Sequence, residues 1–330
     1  MDHTRACEES KQIGNRSPGT GKAVWMALIL AVACLAGSCQ RNDAGTGADG
    51  RLKVIASLFP TYDFARNIGR EKADVTLLLP PGVEAHGFEP KPGDMMRLNR
   101  ADILIFTNRL MEPWIQKILL GTQNRRLAVV EAGRGIAMSG DAGGKADGHK
   151  DADGAEDPHI WLDFSNAAAM VDRIRDGFIG RDPENRDFYF RNAEEYKARL
   201  RDLDRRYRET LSGCRKKVLV HGGHSAFGYL ARRYGLRYLS AYGLSPNAEP
   251  RPEDLIRLSR TLRANGLKHI YSEELLSPRI AETIARETGA AVLPLYTGHN
   301  VGKEALEGDA TFIFLMMKNL ERLKEGLQCP

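Results

Sequence analysis

The chain has 330 residues, a formal net charge of +5, 42% hydrophobic residues and 28% charged ones. That charge is dispersed, with no basic stripe interleaved with aromatics, so a nucleic-acid partner is excluded from the leading readings. None of the five cysteines sits at paired zinc-finger spacing, which removes that class of metal site.

Residues 1–38 read as an export signal. Arg5, Lys11, Arg16 and Lys22 precede an apolar run from Ala23 to Ala36, closed by the small residues Gly37 and Ser38. The run is shorter than the ~20 apolar residues a spanning helix needs. Ala36-Gly37-Ser38-Cys39 resembles a bacterial lipobox, with Ala36 where leucine is usual. Cleavage there leaves Cys39 as a lipidated amino terminus on a flexible tether, residues 39–51, with Cys34 as the alternative site. The expected product is exported and lipid-anchored in the bacterial cell envelope, in the periplasm or on the outer face of the cytoplasmic membrane. Cys214 and Cys329 then remain in an oxidising compartment, where a disulfide can form if the two meet, which sequence leaves open.

From Leu52 onward, short apolar runs alternate with amphipathic stretches. Strands are expected at Leu52–Leu58, Val75–Leu79, Ile103–Thr107 and Leu127–Val130, with helices at Tyr62–Ile68, Asp94–Arg100 and Trp114–Leu119. Such alternation predicts a parallel sheet flanked by helices, an N-terminal α/β lobe over residues 52–182. Within it, residues 139–156 are rich in Gly, Asp and Ala and read as a mobile acidic loop. Ala167, Met170, Val171, Ile174 and Phe178 mark a further helix.

Asp182-Pro183 is an expected helix start, and Tyr189, Ala193, Tyr196, Leu200, Leu203, Tyr207 and Leu211 follow as one apolar stripe. They predict one helix over residues 183–212, on the order of 40 Å long. Because strand-helix alternation resumes after it, the helix reads as a strut along two lobes and not as a coiled-coil surface. The C-terminal lobe, residues 213–330, repeats the pattern. Its strands are expected at Val218–His221, Tyr238–Ala241, His269–Ser272 and Ala291–Tyr296, and its helices at Ala226–Tyr234, Pro252–Leu262, Pro278–Glu287 and Ala310–Leu323.

Four histidines, His86, His159, His224 and His299, fall where strands should give way to loops or helices, the end at which open α/β sheets bind ligands. Each alone suits a hydrogen-bonded structural histidine, the reading kept for His3, His149 and His269. Two per lobe suit imidazoles converging on Zn(II) in a cleft, and suit Mn(II) poorly. Unperturbed imidazoles titrate near ~6.5, so zinc affinity is expected to weaken below that pH.

The segments carrying these histidines resemble those of the metal-binding lipoproteins of zinc and manganese ABC importers, the ZnuA/TroA-like solute-binding family. Pro80-Pro81-Gly82-Val83-Glu84-Ala85-His86-Gly87-Phe88-Glu89-Pro90 is similar to the family's first ligand loop, Asp157-Pro158-His159-Ile160-Trp161-Leu162-Asp163 to its second, and His224-Ser225-Ala226-Phe227-Gly228-Tyr229 to its third. The resemblance implies His86, His159 and His224 as ligands and leaves His221 unassigned. It implies an α/β fold of two βα lobes with parallel sheets, joined by one long backbone helix, with the metal in the cleft. It further implies a monomeric binding protein, not an enzyme, that passes Zn(II) to an ABC permease in the cytoplasmic membrane; Mn(II) or Fe(II) is the alternative cargo.

The chain departs from the family pattern twice. Tyr296-Thr297-Gly298-His299-Asn300 places a histidine where many members carry a carboxylate, so either His299 ligates or water, Glu273 or Glu274 completes the shell. The acidic loop holds only His149, without a polyhistidine run. Two rival classes remain: a secreted zinc hydrolase using Glu273 or Glu274 as base, and an adhesin stabilised by metal.

Overall fold

Leu52-Lys53-Val54-Ile55-Ala56 buries every side chain but that of Lys53, the mark of a strand covered on both faces. It is the first strand of a computed structural model that describes residues 50–140, 156–245 and 250–330. The expected export signal, Cys39, nearly all of the tether and all but the ends of the acidic loop lie outside the described residues.

The first half runs β1 (Leu52–Ala56), α1 (Phe59–Gly69), β2 (Ala73–Leu77), α2 (Pro92–Leu98), β3 (Ile103–Phe106), α3 (Ile115–Gly121) and β4 (Ala128–Glu131). These strands form a parallel sheet in the order β2-β1-β3-β4. Two helices follow, α4 (Phe164–Arg181) and α5 (Arg186–Ser212). The second half runs β5 (Val218–His221), α6 (Gly228–Arg233), β6 (Arg237–Ser240), α7 (Pro252–Ala264), β7 (His269–Glu273), α8 (Arg279–Thr288), β8 (Ala291–Leu295), α9 (Lys303–Glu307) and α10 (Phe312–Gly326). Its parallel sheet has the matching order β6-β5-β7-β8.

Helix α5 buries the whole expected stripe, together with Asn192. It packs on α1 and α4 on one side of the chain and on α10 on the other, which is why its apolar face needs no second molecule. Each fully buried large side chain of that stripe contributes roughly 1.5–3 kcal/mol. A polar pin fixes the register. Asp63 of α1 accepts from Tyr196 Oη at 2.6 Å and from the Phe312 amide at 3.1 Å, tying α1, α5 and the start of α10 together. Cys214, just past α5, and Cys329, just past α10, form a disulfide across 115 residues of sequence. Closing a loop of that order removes about 4–5 kcal/mol of chain entropy from the unfolded state in the loop-entropy picture.

Several boundaries differ from expectation. Helix α1 starts at Phe59 because Thr61 Oγ1 accepts from the Leu58 amide at 3.3 Å and closes the first turn early. Pro183–Asn185 form a separate 3-10 turn, and the long helix begins at Arg186. Helix α6 begins at Gly228, so His224 stands on a loop and does not open a helix. No strand of the described residues leads into His159; a 3-10 turn at Ile160–Leu162 follows it instead. Helix α9 is a single short turn, too brief to show a period.

Candidate metal centre

Each expected ligand is fixed by its own loop. The His86 loop turns at Gly82, whose φ of +78° suits glycine. Asn300 Nδ2 donates to Pro80 O at 2.8 Å and Val83 O at 2.7 Å, and the Gly82 amide donates to Val301 O at 2.9 Å. The Glu84 carboxylate accepts from the amides of His86 and Gly87, both at 2.9 Å. His159 is anchored by the turn behind it: Trp161 Nε1 donates to Thr297 O, in the second half of the chain, at 2.9 Å. His224 follows Gly222-Gly223. A Cβ on Gly223 would lie 2.6 Å from His221 Cε1 and 2.9 Å from Glu273 Oε2, so only glycine lets those side chains close behind the ligand. His299 follows Gly298, at φ +72°, and its carbonyl accepts from the Phe59 amide of α1 at 3.1 Å.

These loops bring His86, His159 and His224 together, with one ring nitrogen from each inside a mutual 4.8 Å. His159 Nδ1 lies 2.9 Å from Asp157 Oδ1, and His224 Nδ1 lies 2.6 Å from Glu273 Oε2. A carboxyl oxygen accepts the Nδ1 proton in each case, which leaves each Nε2 with an outward lone pair. Those two Nε2 atoms are 3.1 Å apart. His86 Nε2 is buried with no hydrogen-bond partner. Facing lone pairs repel unless a cation sits between them. Two imidazoles on a tetrahedral zinc, at bonds of 2.0–2.1 Å, place their nitrogens roughly 3.3 Å apart. The observed spacing is close to that.

His299 is 1% exposed, and its ring centre lies 6.1 Å from that of His224. Its Nδ1 pairs with Thr297 Oγ1 at 2.8 Å, and it stands outside the closest trio. Glu274 accepts from the Thr297 amide at 3.0 Å, and Glu273 holds His224, so one carboxylate is committed to a backbone amide and the other to an imidazole. Burial holds His86 down to about 3, helped by the neighbouring His159, and holds His159 and His299 well below the usual histidine range. All three rings are therefore neutral donors at neutral pH. Burial pushes Asp157 up to about 7, and burial with the Glu273 charge pushes Glu274 up to about 8.

A family model described as "Zinc-uptake complex component A periplasmic" matches residues 54–326. The chain belongs to that family. It is 34% identical to the high-affinity zinc uptake system protein ZnuA of Bacillus subtilis, over 92% of this chain and 98% of that one. It is 31% identical to the zinc-binding lipoprotein AdcA of Streptococcus pneumoniae over 91% of this chain, yet spans only 60% of AdcA's length. The Zn(II)-bound ZnuA-like domain of AdcA matches in structure with a TM-score of 0.71 at 30% identity, covering 84% of this chain and 99% of that domain.

In this member of the zinc-uptake family, the residues behind the rings differ from expectation in role: Glu273, expected as a shell or base candidate, instead holds His224. Glu273 is far from His224 in sequence and meets it only in the fold. Asp157, two residues before His159, was the more readable partner, since a short acidic side chain there can reach the ring. His221, the histidine without an assignment, is buried behind the site, with Nδ1 3.1 Å from the His224 carbonyl. His269 lies 3.7 Å from Glu325, away from the cleft, as expected of a structural histidine. His3 and His149 lie outside the described residues.

Proposed function

We propose that this chain is the extracytoplasmic solute-binding component of a metal ABC importer, with Zn(II) as its cargo. His86, His159 and His224 hold the ion, His299 is the fourth ligand, and the loaded protein delivers it to a permease in the cytoplasmic membrane. Cys39 carries the lipid that keeps the protein, a monomer, at the membrane outside the cytoplasm. Residues 52–182 and 213–330 serve as the two lobes and residues 183–212 as the strut between them. The observation that carries this reading is the pair of Nε2 lone pairs 3.1 Å apart, each set by a carboxyl on the opposite ring nitrogen. Neutral nitrogen donors favour Zn(II) over the harder Mn(II). The same geometry disfavours a hydrolase, since Asp157 and Glu273 are committed to the rings and Glu274 to Thr297.

Metal content of protein purified without added metal, followed by competition between Zn(II) and Mn(II), tests the proposal. Bound zinc that resists competing manganese is expected; manganese preference, or no bound metal, would sink it. His299→Ala should weaken zinc binding without unfolding the metal-free protein, and His299→Asp should narrow the preference for zinc. Unchanged affinity in His299→Ala removes that residue from the site.

A further inference from the structure

The turn Asn108–Trp114, between β3 and α3, touches both first-lobe ligand loops. One buried carboxyl holds it in place. Glu112 is fully buried. Its Oε1 accepts from the Thr107 amide at 2.8 Å and from Ser57 Oγ, and its Oε2 accepts from the Asn108 amide at 3.0 Å. Ser57 and Thr107 lie just past the carboxyl ends of β1 and β3, the two central strands of the sheet. The turn then reaches outward in two directions. Asn108 Oδ1 accepts from the Leu110 and Met111 amides at 3.1 and 2.9 Å, which orients its Nδ2 to donate to Pro158 O at 3.1 Å, one residue before His159. Trp114 Nε1 donates to Ala85 O at 2.8 Å, one residue before His86, while its ring meets Phe88 edge-on at 5.0 Å.

We infer that Glu112 is a positioning residue of the metal centre, setting the backbones of His159 through Asn108 and of His86 through Trp114. This rests on the zinc-binding reading above. Burying a carboxyl costs stability unless hydrogen bonds offset its lost hydration, and each bond that does so fixes the position of its donor. Here the three accepted bonds fix a turn to the ends of β1 and β3, and from that turn Asn108 and Trp114 reach the two histidine loops. Supporting partners of metal-binding histidines weaken metal affinity by about 10–100-fold when removed, and Glu112 acts at one further remove.

The test measures zinc affinity, by competition with a chromophoric chelator, in the full chain and in Glu112→Gln, Asn108→Ser and Trp114→Phe, with melting of each metal-free form alongside. Gln keeps the shape of Glu112 but presents a donor to an amide that already donates. Expected is about a 10-fold loss of zinc affinity in Glu112→Gln and Asn108→Ser, and a several-fold loss in Trp114→Phe. The deciding readout is coupling. The Asn108→Ser loss should vanish when His159 is already alanine, and the Trp114→Phe loss when His86 is alanine; a merely structural lesion adds equally in both backgrounds. Wild-type affinity in folded Glu112→Gln and Asn108→Ser, or losses that persist without the histidines, overturns the inference. Should Glu112→Gln not fold, the two other variants decide. Absence of zinc binding in the unaltered chain would instead overturn the functional reading.

Discussion

The two halves of the molecule share one strand order and use its switch point differently. In the first sheet the crossover lies between β1 and β3, and the Glu112 carboxyl fills the space beyond the strand ends, bonded to both. In the second sheet the crossover lies between β5 and β7. There Gly222, Gly223, Tyr242, Ser272, Glu273, Leu276 and Ser277 line a cavity of about 200 Å³. Glu273, on the wall of that cavity, also holds His224. Both halves set a buried carboxyl behind a site imidazole, Asp157 on His159 and Glu273 on His224, and the first half commits a second one, Glu112, to its scaffold. The cores differ accordingly. The first sheet shares a continuous apolar core with α4, α5, α10 and one face of the second sheet (Leu219, Tyr238, Tyr271, Leu293), whereas Val220, Leu239, Leu258, Leu262, Ile270 and Ile284 form a separate cluster on that sheet's other face.

The comparison breaks most visibly if one half alone carries the metal. His159→Ala and His224→Ala should each weaken zinc binding by more than about 100-fold, beyond the loss expected from their supporting partners. Calorimetric titration showing a loss in only one of them would mean that the halves do not share the ion. Next in size are the carboxyls behind the rings. Glu273→Gln should weaken zinc binding by about 10–100-fold, and Asp157→Asn by less. Burial pushes Asp157 up to about 7, so at neutral pH it is already partly a neutral acceptor, which an amide imitates. Equal losses in the two variants would erase that distinction between the halves.

Acid offers a smaller but signed effect. His86 is held down to about 3 from its ordinary 6.5, so below pH 6.5 the unfolded chain takes up a proton that the folded one refuses. The stability linked to its neutral ring is complete above pH 6.5 and is lost as pH falls towards about 3. Glu112 acts in the opposite direction: pushed up to about 7 from 4.5, it adds stability as pH falls through 7 towards 4.5. Urea unfolding of the metal-free protein between pH 4.5 and 6.5 should therefore be flatter with pH in His86→Ala on the acid side and steeper in Glu112→Gln. The reverse order of slopes would contradict both assignments. The same burial moves the loss of zinc affinity to lower pH than free imidazole chemistry predicts, because the rings stay neutral below 6.5.

Smallest is the expected change of shape. The halves are already tied by α5, by Trp161 to Thr297, by Asn300 to the His86 loop and by Phe59 to the His299 carbonyl. A continuous helix resists the φ/ψ changes that hinge closure concentrates in a few residues. Solution scattering should show nearly the same radius of gyration with and without zinc; a large compaction would mean that these ties open.

The parallel α/β class, the long helix and the three histidines that the fold gathers, His86, His159 and His224, were all legible in the chain itself. Periodicity is a local property: the stripe from Tyr189 to Leu211 repeats at helical spacing, and β1 is apolar on both faces, whatever they pack against. The ligand loops were legible because proline and glycine set their turns locally, as at Gly82 and Gly298. Pairings between distant residues were decided only by the tertiary structure. Glu273 meets His224 across 49 positions, Asn300 meets Pro80 across 220, and Cys214 meets Cys329 across 115. Such contacts leave no trace in local spacing, because the energy that forms them comes from packing whole elements together. The shift of three imidazoles from ordinary titration to neutrality has the same origin: burial is a property of the fold, and no histidine carries it in its sequence context.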